Sequence, residues 1–395
     1  MTFNPANRDG PLHGVTVIDL TRVLAGPYCT LMLAELGARV IKIEEPGVGD
    51  ISRSIGPFIN GKSAYFMSLN REKESIALNL KNADDRLIFE ELLDHADVLV
   101  ENFRTGAMEK LGYSWDMLHA RWPRLIFAAA SGFGQTGPYA KRPAYDMVVQ
   151  GMGGIMSLTG HPGGPPTRVG SSIGDLAAGM FTAIGVNAAL YERERTGTGN
   201  MIDVGMLDCQ VAMLENGIVR YTATGEVPGP LGARHPSIAP FAAFTAKDKH
   251  IIIACGTDKA FAILAEALGE PELAADERFS SPPARVENVD ALAAEINRLL
   301  AAKTRDEWLE ILEGVGIPCG PINNVAEVVN DPHILSRNMI VHTDDPEAGK
   351  IHMGGNPIKF SGYPDGVVRH HAPALDENRE AILAELEAAR AAVAD

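Results

Sequence analysis

Apolar runs and amphipathic stretches alternate along the first half of the chain. Val15–Leu20 (VTVIDL) is a short run with β-branched residues, as expected of a buried strand. Pro27–Ala38 sets Leu31, Leu33 and Leu36 among small residues and predicts a helix, with Gly37 near its end, where a left-handed cap costs little. Arg39–Glu44 (RVIKIE) predicts a second strand. Strand, helix and strand in succession make a βαβ unit, whose crossover is right-handed. The pattern continues with strands over Ser75–Leu80, Asp97–Glu101, Leu125–Ala130 and Asn200–Val204, and a helix over Asp84–His95. Gly106–Leu111 and Trp115–Arg121 read as short helices. The fold class is therefore α/β, with a Rossmann-like parallel sheet in a large domain.

Leu176–Tyr191 is uncharged and rich in Ala and Gly. It is too short to span a bilayer and reads as a buried helix whose small residues permit close backbone approach. Leu207–Tyr221 predicts one long helix. Gly225–Pro240, with four prolines, reads as a linker into a smaller α/β domain. There Phe241–Phe244 and His250–Ala254 predict paired strands, and Lys259–Ala267, Val289–Ala302 and Thr304–Glu313 predict helices. Thr304 and Glu307 have capping-box spacing. Ile317–Pro321 is a rigid crossing back, and an Ala/Glu helix begins near Glu377. The expected division is 1–225 large domain, 226–330 linkers and small domain, and 331–395 a return to the large domain.

Composition narrows the function classes. The 395 residues carry 51 acidic and 35 basic side chains, a net charge of −16, which argues against nonspecific nucleic-acid binding. Cys29, Cys209, Cys255 and Cys319 have neither CxxC nor zinc spacing and read as buried thiols of a cytoplasmic protein. The polar stretch 1–14 shows no secretory signal, and no membrane span is expected. No metal spacing, GxGxxG, GxxxxGK[ST] or GxSxG is present, so the sheet does not imply a bound nucleotide, a permanent cofactor or a hydrolase triad.

Three places carry chemistry with a plainer reading beside each. Asp175, after Gly174, reads from spacing as a helix N-cap. The same position would hold a carboxylate ionised and oriented as a nucleophile. Tyr145-Asp146 reads as a turn with a cap. Arg168, in a Pro/Gly-flanked loop, is either a surface charge or an anion clamp.

A set of motifs in order over almost the whole chain resembles the class III CoA-transferases, the formyl-CoA transferase family. They include Leu20–Pro27 (LTRVLAGP), Asp97–Phe103 (DVLVENF), Gly132–Pro138 (GFGQTGP), Arg142–Asp146 (RPAYD), Gly174-Asp175, His235–Pro240 (HPSIAP) and Gly316–Pro321. The resemblance implies that Asp175 is the nucleophile, passing through an aspartyl mixed anhydride and an aspartyl-CoA thioester. It implies a coenzyme A site from Leu24 and Ala25 at the first turn, Leu78 and Lys81 near the adenine, and Asn102, Phe103 and Arg104 along the pyrophosphate arm. Lys110, Tyr145 and Asp146 complete that set. Glu45 falls where formyl-CoA transferase has an arginine near the phosphates. The long glycine-rich loop of that enzyme is missing after Pro240, which argues against formyl-CoA and oxalate.

The implied reaction moves CoA from an acyl-CoA thioester to a small carboxylic acid, with a dicarboxylate pair including succinate as the expected type. The alternative is an α-methylacyl-CoA racemase, which needs two bases flanking an acidic carbon. The racemases carry a His-Asp pair where this chain has Tyr145-Asp146, and Tyr is a poor base near neutral pH. A dicarboxylate leaves a second carboxylate to hold. Arg168 is the nearest arginine before Asp175, with Arg22 and Arg142 as competitors. Family members form homodimers of two interlocked rings, which is the assembly expected here.

Overall fold

In the computed structural model, which describes residues 9–394, all six expected strands form and pair in parallel. They run Glu74–Ala77, Arg39–Glu44, Thr16–Asp19, Val98–Glu101, Ile126–Ser131 and Met201–Gly205 across the sheet. In chain order this is 3-2-1-4-5-6, the doubly wound arrangement of dinucleotide-binding folds. Its direction reverses between Thr16–Asp19 and Val98–Glu101, and such switch points open a crevice beyond the carboxyl ends of the strands.

The alternation of side chains explains why these runs are mainly apolar, with buried Asp19, Lys42 and Glu101 among the exceptions. Ile18, Ile41, Ile76, Leu99 and Phe127 enter one core, together with Phe89, Leu92, Ile382 and Leu386 from covering helices. Val17, Val40, Val98, Val100 and Ile126 enter the opposite core, against Cys29 and Leu33 of helix Ala25–Glu35 and Ala183, Val186 and Leu190 of helix Ile173–Thr196. A strand buried on both faces has no place for a polar alternation.

The described residues divide into two compact units. One comprises 9–156, 168–226 and 332–394; the other comprises 157–167 and 227–331. The larger also holds a three-stranded sheet of Ile340–Asp345, Gly349–Gly354 and Val368–Arg369. The smaller is an antiparallel sheet of Phe241–Thr245, His250–Ala254 and Cys319–Pro321, packed by helices Asp258–Ala267, Val289–Leu300 and Arg305–Gly314. The capping box forms as expected, with Thr304 and Glu307 bonded reciprocally.

Several expectations are corrected. The single helix over Leu207–Tyr221 is two, Met206–Ala212 and Gly217–Thr224, because the chain turns through Glu215 at φ 52°. The uncharged helix is longer than its neutral stretch and runs 24 residues, Ile173–Thr196. By length and composition it is apolar enough to cross a membrane, but half of its most apolar window is buried in the fold. All four cysteines are free thiols; three are buried and Cys319 only partly so. Of the polar stretch 1–14, residues 1–8 lie outside the described residues.

Candidate active site

Two short approaches between helices set the geometry around Asp175. Glycine at 179 lets helix Ile173–Thr196 lie on helix Ala25–Glu35, since a Cβ there would stand 2.7 Å from the Ala25 carbonyl oxygen. Glycine at 174 allows the same against helix Asp146–Met152, where a Cβ would meet Val149 at 2.7 Å and Asp146 at 3.0 Å. Any side chain at either position would push the start of the long helix away from its neighbours.

The cap of that helix is not where the sequence placed it. Ser172 holds the N-cap position without a side-chain bond, and Asp175 sits inside the first turn. The carboxylate that satisfies the helix end belongs to Asp146, whose Oδ1 accepts from the Gly174 N–H at 2.8 Å. Its Oδ2 accepts from Gln150 Nε2 at 2.7 Å, and Gln150 Oε1 accepts from the Val169 N–H at 2.9 Å. A buried relay from Asp146 through Gln150 thus pins both the helix start and the loop that carries Arg168. Sequence reasoning missed Gln150, although a glutamine four residues after an aspartate on an apolar helix is a readable signal.

Asp175 is left unspent. Among the described residues its carboxylate takes no hydrogen bond. Burial, and then the Asp146 carboxylate nearby, push its pKa up to about 7. Both causes act against the expectation that the helix end would hold Asp175 ionised, and Asp146 already answers one orphan N–H there. Burial also pushes the half-buried Tyr65 phenol up to about 12, and the charges of Asp175, Asp50 and Asp146 add to this.

At the carboxyl ends of the first four strands in chain order lies a cleft of about 230 Å³. Arg22, Glu45, Leu78, Lys81, Phe103 and Leu111 are among its lining residues. Of the sequence candidates it gathers Leu78, Lys81 and Phe103. Arg22 stacks over Phe103 at 5.2 Å and meets Glu45 at 3.9 Å, so Glu45 tethers a cation instead of supplying one. Leu24 is the N-cap residue of helix Ala25–Glu35, and Leu24 and Ala25 are buried. Arg104 and Lys110 are exposed and do not line the cleft. Asn102 spends its amide on Arg22, accepting from its N–H at 2.8 Å and donating to its carbonyl at 2.7 Å.

Tyr145 is 78% exposed at the N-cap of its helix. Arg168 is exposed and bonds its own loop, donating to the carbonyls of Val169 at 3.0 Å and Gly170 at 2.8 Å. No carboxylate pairs with Arg168 among the described residues. Arg142 stacks over Tyr139 at 4.6 Å and Phe133 at 5.7 Å. No group of three or more His, Cys, Asp or Glu among the described residues is arranged to hold a metal ion.

Known proteins resemble this chain over nearly its whole length. The acetyl-CoA:oxalate CoA-transferase of Acetobacter aceti is 48% identical, with 98% of each chain covered. The succinyl-CoA:mesaconate CoA-transferase of Haloarcula marismortui is 40% identical, covering 95% of this chain and 96% of that one. Mouse succinyl-CoA:glutarate CoA-transferase is 38% identical over 89% of this chain and 81% of its own. A solved CaiB/BaiF family protein of Brucella suis superimposes with a TM-score of 0.84, at 40% identity and covering 96% of this chain and all of that one. The Acetobacter aceti relative is named for oxalate, the acid that the missing glycine-rich loop argued against for this chain. None of these relatives is named a racemase, and that alternative is not favoured. The model of CoA-transferase family III matches residues 12–379, and the chain belongs to that family.

Proposed function

We propose that this enzyme transfers CoA between an acyl-CoA and a short dicarboxylic acid, with Asp175 as the nucleophile. The observation that carries the reading is a half-buried carboxylate at the start of the long helix with no hydrogen-bond partner among the described residues, beside a second carboxylate already committed to the helix end. Ionised Asp175 attacks the thioester carbonyl and expels CoA thiolate, leaving a mixed anhydride. The thiolate then attacks the Asp175 acyl carbon and releases the donor acid, leaving an aspartyl-CoA thioester. The acceptor carboxylate attacks that thioester, and the thiolate leaves and returns to the acceptor's carbonyl, which frees Asp175. A site that keeps water out protects both intermediates from hydrolysis.

The reading puts the adenosine end of CoA in the cleft at Leu78, Lys81 and Phe103, with Leu24 and Ala25 beside the pantetheine. Asn102 acts there through Arg22, and Tyr145 and Asp146 flank the thioester. Arg104 and Lys110 supply outer charge for the phosphates. Arg168 takes the acceptor's distal carboxylate, a role supported by its having no acidic partner among the described residues. Relatives named for succinate, glutarate, mesaconate and oxalate support a dicarboxylate. The enzyme works in the cytoplasm as an interlocked homodimer without a resident cofactor.

The deciding experiment incubates the protein with succinyl-CoA and a panel of mono- and dicarboxylic acids and reads the products by mass. New CoA thioesters of dicarboxylates are expected. Hydrolysis alone, or transfer confined to monocarboxylates, would overturn the substrate class.

A further inference from the structure

From Thr21 to Val23 the main chain is gripped by side chains. The Thr21 N–H donates to Asp19 Oδ1 at 2.8 Å, and Lys42 Nζ donates to the Thr21 carbonyl at 2.7 Å. Asn102 brackets both polar groups of Arg22, as described above. The Val23 N–H reaches Asp50 Oδ1 at 3.2 Å. Asp50 is in turn held by Lys42, Nζ to Oδ2 at 3.0 Å, and both side chains are buried.

The residue so gripped is strained. Val23 has φ 68°, in the left-handed region, where Cβ crowds the carbonyl. A β-branched residue stays there only where its surroundings over-determine it. What this conformation aims is functional: Arg22 stands in the cleft, and Leu24 and Ala25 follow directly. Lys42 also breaks the apolar pattern of a fully buried strand, which stability alone does not ask for.

We propose that the buried Lys42–Asp50 pair is a positioning device that holds Val23 left-handed and so sets where Arg22, Leu24 and Ala25 meet CoA. The pair touches no substrate. The inference rests on the reading of this cleft as the CoA site. Asp50 also accepts from the Ser52 N–H at 2.9 Å, so the test must separate a local structural role from positioning.

The test is the affinity for free CoA, measured by calorimetry on the full chain, in a cycle of Asp50→Ala and Val23→Gly. Glycine adopts the left-handed conformation without the strain, so it removes the need for the grip. Asp50→Ala is expected to weaken CoA about ten-fold, and Val23→Gly in that background to restore most of the loss. Glycine in the otherwise unchanged protein is expected to give no comparable gain. Wild-type affinity in Asp50→Ala, or the same loss with and without glycine, overturns the proposal. Should Asp50→Ala not fold, Asp50→Asn takes its place. It keeps the acceptor oxygen but weakens the pair, and glycine should improve its CoA binding; no improvement counts against the grip. A wild-type protein that does not bind CoA overturns the reading of the cleft, and the proposal with it.

Discussion

Two carboxylates share the start of one helix and divide the labour there. Asp146 is spent on the Gly174 N–H and on Gln150, while the Asp175 carboxylate takes no hydrogen bond among the described residues. Holding Asp175 half-buried beside Asp146 costs stability. Its pKa is about 7 in the folded protein against an ordinary 3.8, so the native state binds the proton more tightly than the unfolded chain. That cost is absent below pH ~4, builds as pH rises from there, and is complete above about 7. Asp175→Asn is therefore expected to abolish transfer yet stabilise the protein by about 1–2 kcal/mol at pH 8, with the gain gone below pH ~4. Denaturant unfolding at the two pH values checks both signs. Because the nucleophile must be ionised, kcat/KM of the wild type should rise through pH 7 on its acid limb, and Asp146→Asn should move that limb to lower pH. An unmoved limb would assign it to another group. At the acceptor, Arg168→Met is expected to raise KM for dicarboxylates about ten-fold and leave monocarboxylates of similar size within about two-fold.

At the scale of elements, the parallel sheet was readable because its central strands are buried on both faces, and short, mainly apolar β-branched runs have few other uses. The ends of elements were harder to read. The cap of the long helix comes from Asp146, 28 residues earlier, and no local pattern shows a contact of that span. The break near Glu215 was hidden because the residues on both sides keep an apolar helical rhythm. The buried charges were visible but unused: Asp19 ends VTVIDL, and Lys42 interrupts RVIKIE. Asp19 pairs with Lys73 at 3.1 Å, and the pKa of Lys73 is pushed down to about 8, mainly by burial. Close helix contacts were foreshadowed by the small residues, and they give a direct test. Gly179→Ala would drive a methyl into the Ala25 carbonyl and Tyr28, and is expected to cost about 1–3 kcal/mol of stability by thermal or denaturant unfolding. A neutral effect would mean the two helices separate more easily than their packing implies.

At the scale of the whole molecule, the long helix presents Phe181, Ile184 and Tyr191 on one exposed stripe. Large apolar side chains in a row on a surface are the usual mark of an interface. The interlocked dimer proposed above accounts for such a stripe, and sedimentation of the protein at nanomolar concentration should give twice the mass of the 42.2 kDa chain. A monomer at that dilution would remove the ring assembly.

Asp175 is the proposed point of covalent attachment, and mass spectrometry tests this most directly. The protein is incubated with succinyl-CoA without acceptor, quenched in acid and digested, and the peptide containing Asp175 is weighed. A peptide heavier by CoA less one water, absent in Asp175→Asn, is the expected result. Turnover with that peptide unmodified, or transfer at near-wild-type rate in Asp175→Asn, would contradict the account.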